Sequence, residues 1–184
     1  MNRIAQSIKN RLSLRPPQAD SLNILAELTD RLTLKKHTPD PSPEGRKGSP
    51  LSGGDSGVGS FLQQELGKVK SAYPTCTDFE RNFPSICFSL ATGVGKTRLM
   101  GAFVVYLYLS KGIKNFFILA PNITIYNKLI EDFSNSISPK YVFQGIGEFV
   151  HRQPRIITGD TYNTIAQTTF FRSEVHINVF NISK

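Results

Sequence analysis

One short run of the sequence has residue types and spacings that suit the binding of a phosphate chain. It has the sequence Ala91-Thr92-Gly93-Val94-Gly95-Lys96-Thr97, with two glycines just before a lysine and a threonine. Glycine lets the backbone turn its N–H groups toward phosphate oxygens without a Cβ in the way. Lys96 would reach the β- and γ-phosphates, and the Thr97 hydroxyl would bind a bridging Mg²⁺ ion. The run therefore predicts a Mg²⁺–polyphosphate site over residues 92–97.

The surroundings of this loop bear on the alternative that Gly-Lys-Thr occurs here by chance in an unrelated loop. Leu90 stands where the strict pattern G-x-x-x-x-G-K-[ST] has its first glycine. However, residues 85–90 favour a β-strand, and residues 97–109 are strongly apolar over a helical length that ends before Gly112. Strand, loop and helix in this order are the context that a phosphate loop needs.

The rest of the second half alternates between strand and helix patterns. Residues 115–120 predict a buried strand, and Pro121 opens an amphipathic segment that continues to residue 133. Further strands are predicted at residues 141–143, 155–158 and 175–182, with a weaker helix at 160–171. Alternation of this kind predicts an α/β fold, a parallel sheet with helices on both faces.

The first third of the chain has a different organisation. An amphipathic helix is predicted over residues 21–34, after Pro16-Pro17, with Asp20 or Ser21 as its cap. Residues 38–60 are crowded with Pro, Gly and Ser and predict a flexible loop, and a short helix is expected at 61–70. We therefore predict an N-terminal helical segment (1–37), a linker (38–60) and a nucleotide-binding domain (61–184).

Composition excludes several classes of protein. With 39% hydrophobic and 20% charged residues in 184, the chain is globular in composition, and no apolar run approaches the roughly 20 residues that cross a bilayer. Residues 1–14 lack the apolar stretch of a secretory signal, so a soluble cytoplasmic protein is expected. Cys76 and Cys87 are predicted to be reduced thiols, with Cys87 in the core. The net charge of +8 favours a polyanionic partner, although basic surfaces also arise for solubility.

The form of the phosphate loop resembles motif I of the superfamily 2 helicases, which implies a RecA-like fold and ATP with Mg²⁺ as cofactors. Upstream, Leu14-Arg15-Pro16-Pro17-Gln18 resembles the Leu-Arg-Pro-x-Gln element of that superfamily. By this resemblance Gln18 would hydrogen-bond the adenine, whose edge an amide can match with both a donor and an acceptor. The alternative is that Gln18 is a solvated residue at the start of a helix.

Two further segments resemble the DNA-contacting motifs of the superfamily. Residues 117–122 resemble motif Ia, which implies phosphate contacts from Asn122 and Thr124 with help from Lys128. An ordinary helix cap is the alternative for Asn122. Thr158-Gly159-Asp160-Thr161 could correspond to motif Ib.

The sequence of residues 83–128 resembles that of the Res subunit of type III restriction-modification enzymes. That resemblance implies the N-terminal part of an ATP-dependent DNA translocase, with an incomplete first helicase domain and a possible methyltransferase partner. The family's Asp-Glu motif and arginine finger have no counterpart here, so we expect this chain alone to hydrolyse little ATP.

No acidic or histidine residue of the chain stands out as catalytic. The isolated acids form no Asp-Glu pair; they are Asp132, Glu148, Asp160 and Glu174. The three histidines fit surface or strand-packing roles; they are His37, His151 and His176. A nucleotide-gated DNA-binding module without hydrolysis is therefore the second hypothesis. A small-molecule kinase is the third and weakest, because such enzymes carry their own acidic Mg²⁺ site and a substrate lid.

Overall fold

A computed structural model describes residues 2–33, 55–161 and 175–183 of the chain. Contacts divide the chain into two compact units. The first consists of Met1–Ala26 with Leu90–Lys184, and the second is Glu27–Ser89. Among the described residues, no helix is long and apolar enough to cross a membrane. The sequence-based division into residues 1–37, 38–60 and 61–184 stays a prediction about domain organisation.

The first unit begins with a helix that we did not predict, α1 (Arg3–Arg11). The Asn2 side chain caps it, accepting hydrogen bonds from the backbone N–H groups of Ile4 and Ala5 at 3.0 and 3.3 Å. Ala5, Ile8 and Leu12 are buried at spacings of one helical face. This pattern could have revealed the helix, although it is short and flanked by basic residues.

The next helix, α2 (Pro16–Arg31), begins earlier than predicted, because Pro16 itself is its first residue. Asp20 and Ser21 are not its cap, which corrects the prediction. The Ser21 hydroxyl instead donates to the Pro17 carbonyl at 2.8 Å, inside the helix. The helix start is stabilised by Gln18, whose Oε1 accepts the Arg15 N–H at 2.8 Å in the manner of a capping box.

The helix after the phosphate loop is confirmed as α4 (Lys96–Lys111), which ends at a left-handed Gly112 with φ of 67°. The segment before the loop corrects our prediction, since residues 85–90 form no strand. Among the described residues, the sheet contains three strands, and residues 85–90 are not among them. Cys87 in the same segment is exposed rather than in the core, a second correction.

The predicted parallel α/β sheet is confirmed for three strands. They are β1 (Asn115–Ala120), β2 (Arg155–Ile157) and β3 (His176–Asn181), in the spatial order β1-β3-β2. Both neighbours pair with β3 in parallel, with Asn115 and Arg155 each opposite His176. Helix α5 (Ile123–Ser134) connects β1 to β2 and buries Leu129 and Phe133. Ile177 and Val179 of the central strand are fully buried.

The predicted strand at residues 141–143 is wrong, because these residues form a buried turn. Tyr141, Val142 and Phe143 are all buried, whereas a strand would send alternate side chains to opposite faces. The Val142 N–H donates to the Asp132 carbonyl at 3.0 Å. Helix α6 (Gly147–His151) follows and adds Phe149 to the core, its ring lying edge-on to Phe143 at 4.9 Å.

In the second unit, the predicted helix at 61–70 is confirmed but longer, as α3 (Asp55–Ala72). Residues 55–60 are therefore helical and not part of a loop, while the rest of the predicted loop that lies at residues 38–54 is outside the described residues. Of the weaker helix predicted at 160–171, residues 160–161 form a turn and the others also lie outside the described residues.

A buried carboxylate organises the second unit. The Glu65 side chain is 1% exposed and accepts hydrogen bonds from the Thr33 N–H at 2.7 Å and from Lys68 Nζ at 2.6 Å. Burial would raise the pKa of Glu65, but the bonds from Lys68 and Thr33 outweigh it, so the pKa is lowered. Glu65 is thus held in its ionised form between α3 and the chain after α2.

Candidate functional site

The loop at residues 92–95 has the backbone conformation that its glycines predict. Gly93 and Gly95 have φ values of +78° and +92°, in the left-handed region that disfavours other residues. Gly95 is also the N-cap of α4, and no side chain caps the helix there. The first N–H groups of a 16-residue helix therefore lack a side-chain acceptor, which is a suitable environment for an anion.

The side chains with predicted phosphate and metal roles lie at the start of α4. Lys96 is exposed, and its Nζ donates to the Ala91 carbonyl at 2.8 Å, so its ammonium folds back over the loop. Thr97, the next residue, is half-buried. Thr92 is exposed and Val94 is half-buried within the turn. The local sequence thus brings together one cation, one hydroxyl and a set of backbone N–H groups.

Gln18 lies against this loop although it is 77 positions away from Gly95 in the chain. Its side chain is 2% exposed, and its Nε2 donates to the Gly95 carbonyl at 2.8 Å. A Cβ added at Gly95 would come within 2.7 Å of that nitrogen, so the Gln18 side chain would have to move to accommodate it. The alternative of a solvated Gln18 is therefore wrong. Both ends of its amide bond to the chain, one to Gly95 and one to Arg15.

A groove of about 360 Å³ lies between the N-terminal segment and the loop, all within the first unit. It is lined by Ser13, Arg15, Gln18, Gly93, Val94, Gly95 and Arg98. Sequence reasoning gave no role to Ser13, Arg15 or Arg98. Arg15 Nη1 donates to the Gly93 carbonyl at 3.1 Å, and Arg98 Nη1 donates to the Leu12 carbonyl at 3.0 Å. The one sequence signal for Arg98 is its position directly after Thr97.

The three residues with predicted DNA contacts lie at the start of α5. Asn122 is its N-cap and accepts the Ile125 N–H at 2.9 Å, so the helix-cap alternative describes its role in the fold. Thr124 and Lys128 are exposed and, being four residues apart, project from one face of the helix. Asn122 is exposed as well. The structure thus brings all three predicted residues to one accessible helix end.

The second predicted contact segment, residues 158–161, follows β2. Thr158 and Thr161 form a closed turn, in which Thr161 Oγ1 accepts the Thr158 N–H at 2.9 Å. Because β1, β3 and β2 are parallel, this turn and Asn122 leave the same edge of the sheet, with one strand between them. Two strand spacings separate β1 from β2 by roughly 10 Å across the sheet. Relative to β3, β1 ends opposite Asn181 and β2 ends opposite Asn178, so β1 extends further toward this edge.

None of the described acidic residues lines the groove. Asp132 is buried, Glu148 pairs with Arg11 at 2.8 Å, and Asp160 lies in the turn after β2. Among the described residues, no group of three or more His, Cys, Asp or Glu side chains could hold a metal ion. His151 is exposed, and His176 Nδ1 lies 3.3 Å from Asn115 Oδ1 in the sheet. Glu174 and His37 lie outside the described residues.

Comparison with known proteins adds one positive finding to this geometry. No curated protein and no solved structure matches the chain. A family model described as type III restriction enzyme, res subunit, matches residues 11–184, which include both the Gln18 segment and the phosphate loop. The match extends over nearly the whole sequence, and the protein therefore belongs to the res-subunit family of type III restriction enzymes, whose domain is RecA-like and of the superfamily 2 helicase type.

Proposed function

We propose that the chain binds ATP with Mg²⁺ at residues 92–97 and serves as the nucleotide-binding part of a DNA translocase. In the whole enzyme, hydrolysis at this loop would drive movement along DNA. The observation that carries the proposal is the uncapped start of α4, where Gly95 is left-handed and Lys96 and Thr97 are the first two helical residues. A helix start of this kind offers N–H groups and a positive dipole end to phosphate oxygens.

Each loop residue has a separate role in this proposal. The backbone N–H groups of residues 92–96 would surround the phosphates, and the Lys96 ammonium would leave the Ala91 carbonyl to pair with them. The Thr97 hydroxyl is an oxygen ligand of the kind that Mg²⁺ prefers. When bound, the ion supplies charge neutralisation between neighbouring phosphates.

The base would lie in the groove beside Gln18, which is proposed to recognise adenine. Its amide carries a donor and an acceptor that can match the adenine edge. In this conformation Gln18 Nε2 is bonded to the Gly95 carbonyl, so base recognition and the loop backbone share one side chain. A nucleotide that engages Gln18 therefore also affects the loop.

DNA is the proposed macromolecular partner, bound through Asn122, Thr124 and Lys128 at the start of α5. These residues are exposed and combine a cation, a hydroxyl and an amide, the groups that commonly bind DNA phosphates. The net charge of +8 supports a polyanionic partner. The turn at residues 158–161 would add a second contact along the same sheet edge. A methyltransferase subunit as second partner and a cytoplasmic location belong to the same proposal.

A second candidate function is a nucleotide-gated DNA-binding module that does not hydrolyse ATP. It is favoured by one observation, that no acidic side chain lines the groove among the described residues. Turnover needs a carboxylate that holds the metal and positions water. Binding, in contrast, needs only the loop and the base-recognition segment.

Calorimetry of ATP binding with Mg²⁺ tests the primary proposal. We expect Lys96→Ala to weaken ATP binding about ten- to a hundredfold, because a charge-assisted contact is lost. Lys111→Ala is the matched control, since it removes the same charge from the last turn of the same helix, roughly 22 Å away. Equal affinity of wild type and Lys96→Ala would refute the phosphate role of Lys96.

A further inference from the structure

Arg98 makes an unusual connection between the helix that follows the phosphate loop and the N-terminal segment. Its Nη1 donates to the carbonyl of Leu12 at 3.0 Å, in a partly buried position. Leu12 is the C-cap residue of α1, and the last carbonyls of a helix have no partner within the helix. The guanidinium therefore satisfies a carbonyl at the negative end of α1, where a cation is most favourable.

The turn that begins at Leu12 has a backbone conformation that is costly without support. Ser13 has a φ of 49°, a left-handed conformation that costs a residue with a side chain roughly 1 kcal/mol or more. Hydrogen bonds from Ser13 to Asn10 and from Leu14 to Lys9 close the turn on α1 itself. Those bonds do not connect the turn to the phosphate loop. The Arg98 side chain makes this connection, because it extends from the first turn of α4.

The base-recognition residue follows immediately in the chain. Arg15 is the residue before α2, and Gln18 caps that residue while bonding to the Gly95 carbonyl. The segment from Leu12 to Gln18 is therefore hydrogen-bonded to the start of α4 at both of its ends. The exposed Arg15 adds a contact to Gly93 at the surface.

We propose that Arg98 is a positioning residue that fixes the turn of residues 12–18 over the phosphate loop and so sets the affinity and preference for the adenine base. The inference rests on the proposed function, because it concerns the nucleotide of that same site. Arg98 acts through Gln18 and has no role in holding the triphosphate. It should therefore matter for ATP but not for a ligand that has phosphates and no base.

Inorganic tripolyphosphate provides that comparison. Binding of ATP, GTP and tripolyphosphate, each with Mg²⁺, is measured by calorimetry for Arg98→Ala, Gln18→Ala and the double variant. We expect Arg98→Ala to bind ATP about tenfold more weakly and to lose most of its preference for ATP over GTP. Its affinity for tripolyphosphate stays within about twofold of wild type. In the Gln18→Ala background, Arg98→Ala should have no further effect, because both changes remove one function.

Two controls separate positioning from general loss of structure. Tyr106→Phe removes a different bond between the N-terminal segment and α4, in which Asn2 Nδ2 donates to the Tyr106 hydroxyl at 3.0 Å, together with the bond from Ser110 Oγ to the same hydroxyl at 3.3 Å. The bond from Asn2 lies at the far end of α1 from Leu12, so ATP preference should be unchanged. Arg98→Lys keeps a cation that can reach a carbonyl but loses the planar fork, and an intermediate ATP affinity is expected.

Several outcomes would overturn the inference. Equal weakening of ATP and tripolyphosphate in Arg98→Ala would make the residue structural, and additive losses in the double variant would uncouple it from Gln18. If Arg98→Ala does not fold, the same comparison in Arg98→Lys decides, by the same two criteria. If wild-type protein binds neither ligand, or Lys96→Ala binds both as well as wild type, the proposed function fails and this inference fails with it.

Discussion

At the scale of single residues, Gly95 is the position where the backbone, the helix start and the buried Gln18 meet. Its φ of +92° favours glycine, and its carbonyl accepts hydrogen bonds from both Gln18 Nε2 at 2.8 Å and the Leu99 N–H at 3.2 Å. An added Cβ would lie 2.7 Å from the Gln18 nitrogen. Gly95 is therefore constrained twice, by its backbone angle and by the space around it.

Gly95→Ala is expected to weaken ATP binding by tenfold or more, because the side chain would displace Gln18 and strain the loop. The backbone strain alone should cost about 1–2 kcal/mol of unfolding free energy. Gly112→Ala is the matched control, because Gly112 is also left-handed, at φ of +67°, but has open space around it. Thermal unfolding and ATP calorimetry of both variants test this. Similar ATP affinities in the two variants would contradict a specific role for Gly95.

At the scale of elements, local sequence predicted those segments whose structure depends on their own residues. The helix α4, with its glycine C-cap, and the strands β1 and β3 lie where periodicity and apolar runs indicated. Residues 85–90 and 141–143 were mispredicted as strands, because a strand also needs a pairing partner, and a buried apolar triplet can equally form a turn. Nothing in a local window reports either condition.

The candidate site shows the same limit. The phosphate loop is contiguous and could be found from seven neighbouring residues, and Gln18 was found through its resemblance to a known element. The contacts that join the two segments were not predictable. The hydrogen bond from Arg15 to Gly93 spans 78 positions, and the one from Arg98 to Leu12 spans 86. Spacing along the chain carries no signal at such separations.

Helix α3 provides a prediction about pH, since Glu65 joins it to the chain after α2. The lowered pKa of Glu65 means that its stabilising contribution is fully present above the unfolded value of 4.5 and is lost as pH falls through the lower folded value. We therefore expect the unfolding free energy of wild type to decrease at pH values lower than about 4.5. Glu65→Gln should lose roughly 1–3 kcal/mol at pH 7 and show a shallower decline in acid.

Denaturant unfolding between pH 3 and pH 7 measures this difference, and Glu27→Gln is the control. Glu27 also makes an ion pair, with Arg31 at 2.9 Å, but the side chains of both residues are more than 40% exposed. An exposed pair of this kind contributes little to stability. Parallel pH profiles for wild type and Glu65→Gln would show that the buried carboxylate is not the source of the acid sensitivity.

Helix α5 allows its cap and its proposed DNA contact to be separated. Asn122→Ala should cost about 1 kcal/mol, because the bond to the Ile125 N–H is lost. Asn122→Asp keeps an oxygen that caps the helix but adds a negative charge. If Asn122 faces a DNA phosphate, Asn122→Asp should retain stability and bind DNA more weakly than Asn122→Ala. Fluorescence anisotropy with duplex DNA tests the order, and equal DNA affinities of wild type and Asn122→Asp would leave only the cap role.

At the scale of the whole molecule, membership of the res-subunit family and a net charge of +8 both support the proposal that DNA is the partner. A basic protein that neutralises DNA phosphates releases counterions, so its DNA affinity falls steeply with salt. The groove lies wholly within one compact unit, which includes both the first residues and the second half of the chain. The proposed ATP site therefore combines segments that are far apart in sequence but lie within one unit.

ATP binding and ATP turnover should separate in this 184-residue chain. The groove has a phosphate loop and an amide for the base, but among the described residues no carboxylate lines it. Preorganised charges around the γ-phosphate supply most of the rate in phosphoryl transfer. Among the described residues, the groove has the Lys96 ammonium beside it but no carboxylate to hold the metal and position water. We therefore expect ATP to bind with Mg²⁺ while hydrolysis stays near background, with or without duplex DNA.

A phosphate-release assay on the purified monodisperse chain tests this expectation, with Lys96→Ala measured in parallel to subtract contaminating ATPase. Activity that is equal in wild type and Lys96→Ala belongs to a contaminant and agrees with the prediction. DNA-stimulated activity that disappears in Lys96→Ala would contradict it, because the catalytic carboxylate would then have to come from this chain. Asp132 in α5 and Asp160 in the turn after β2 would be the acids to replace next, because both segments adjoin the sheet.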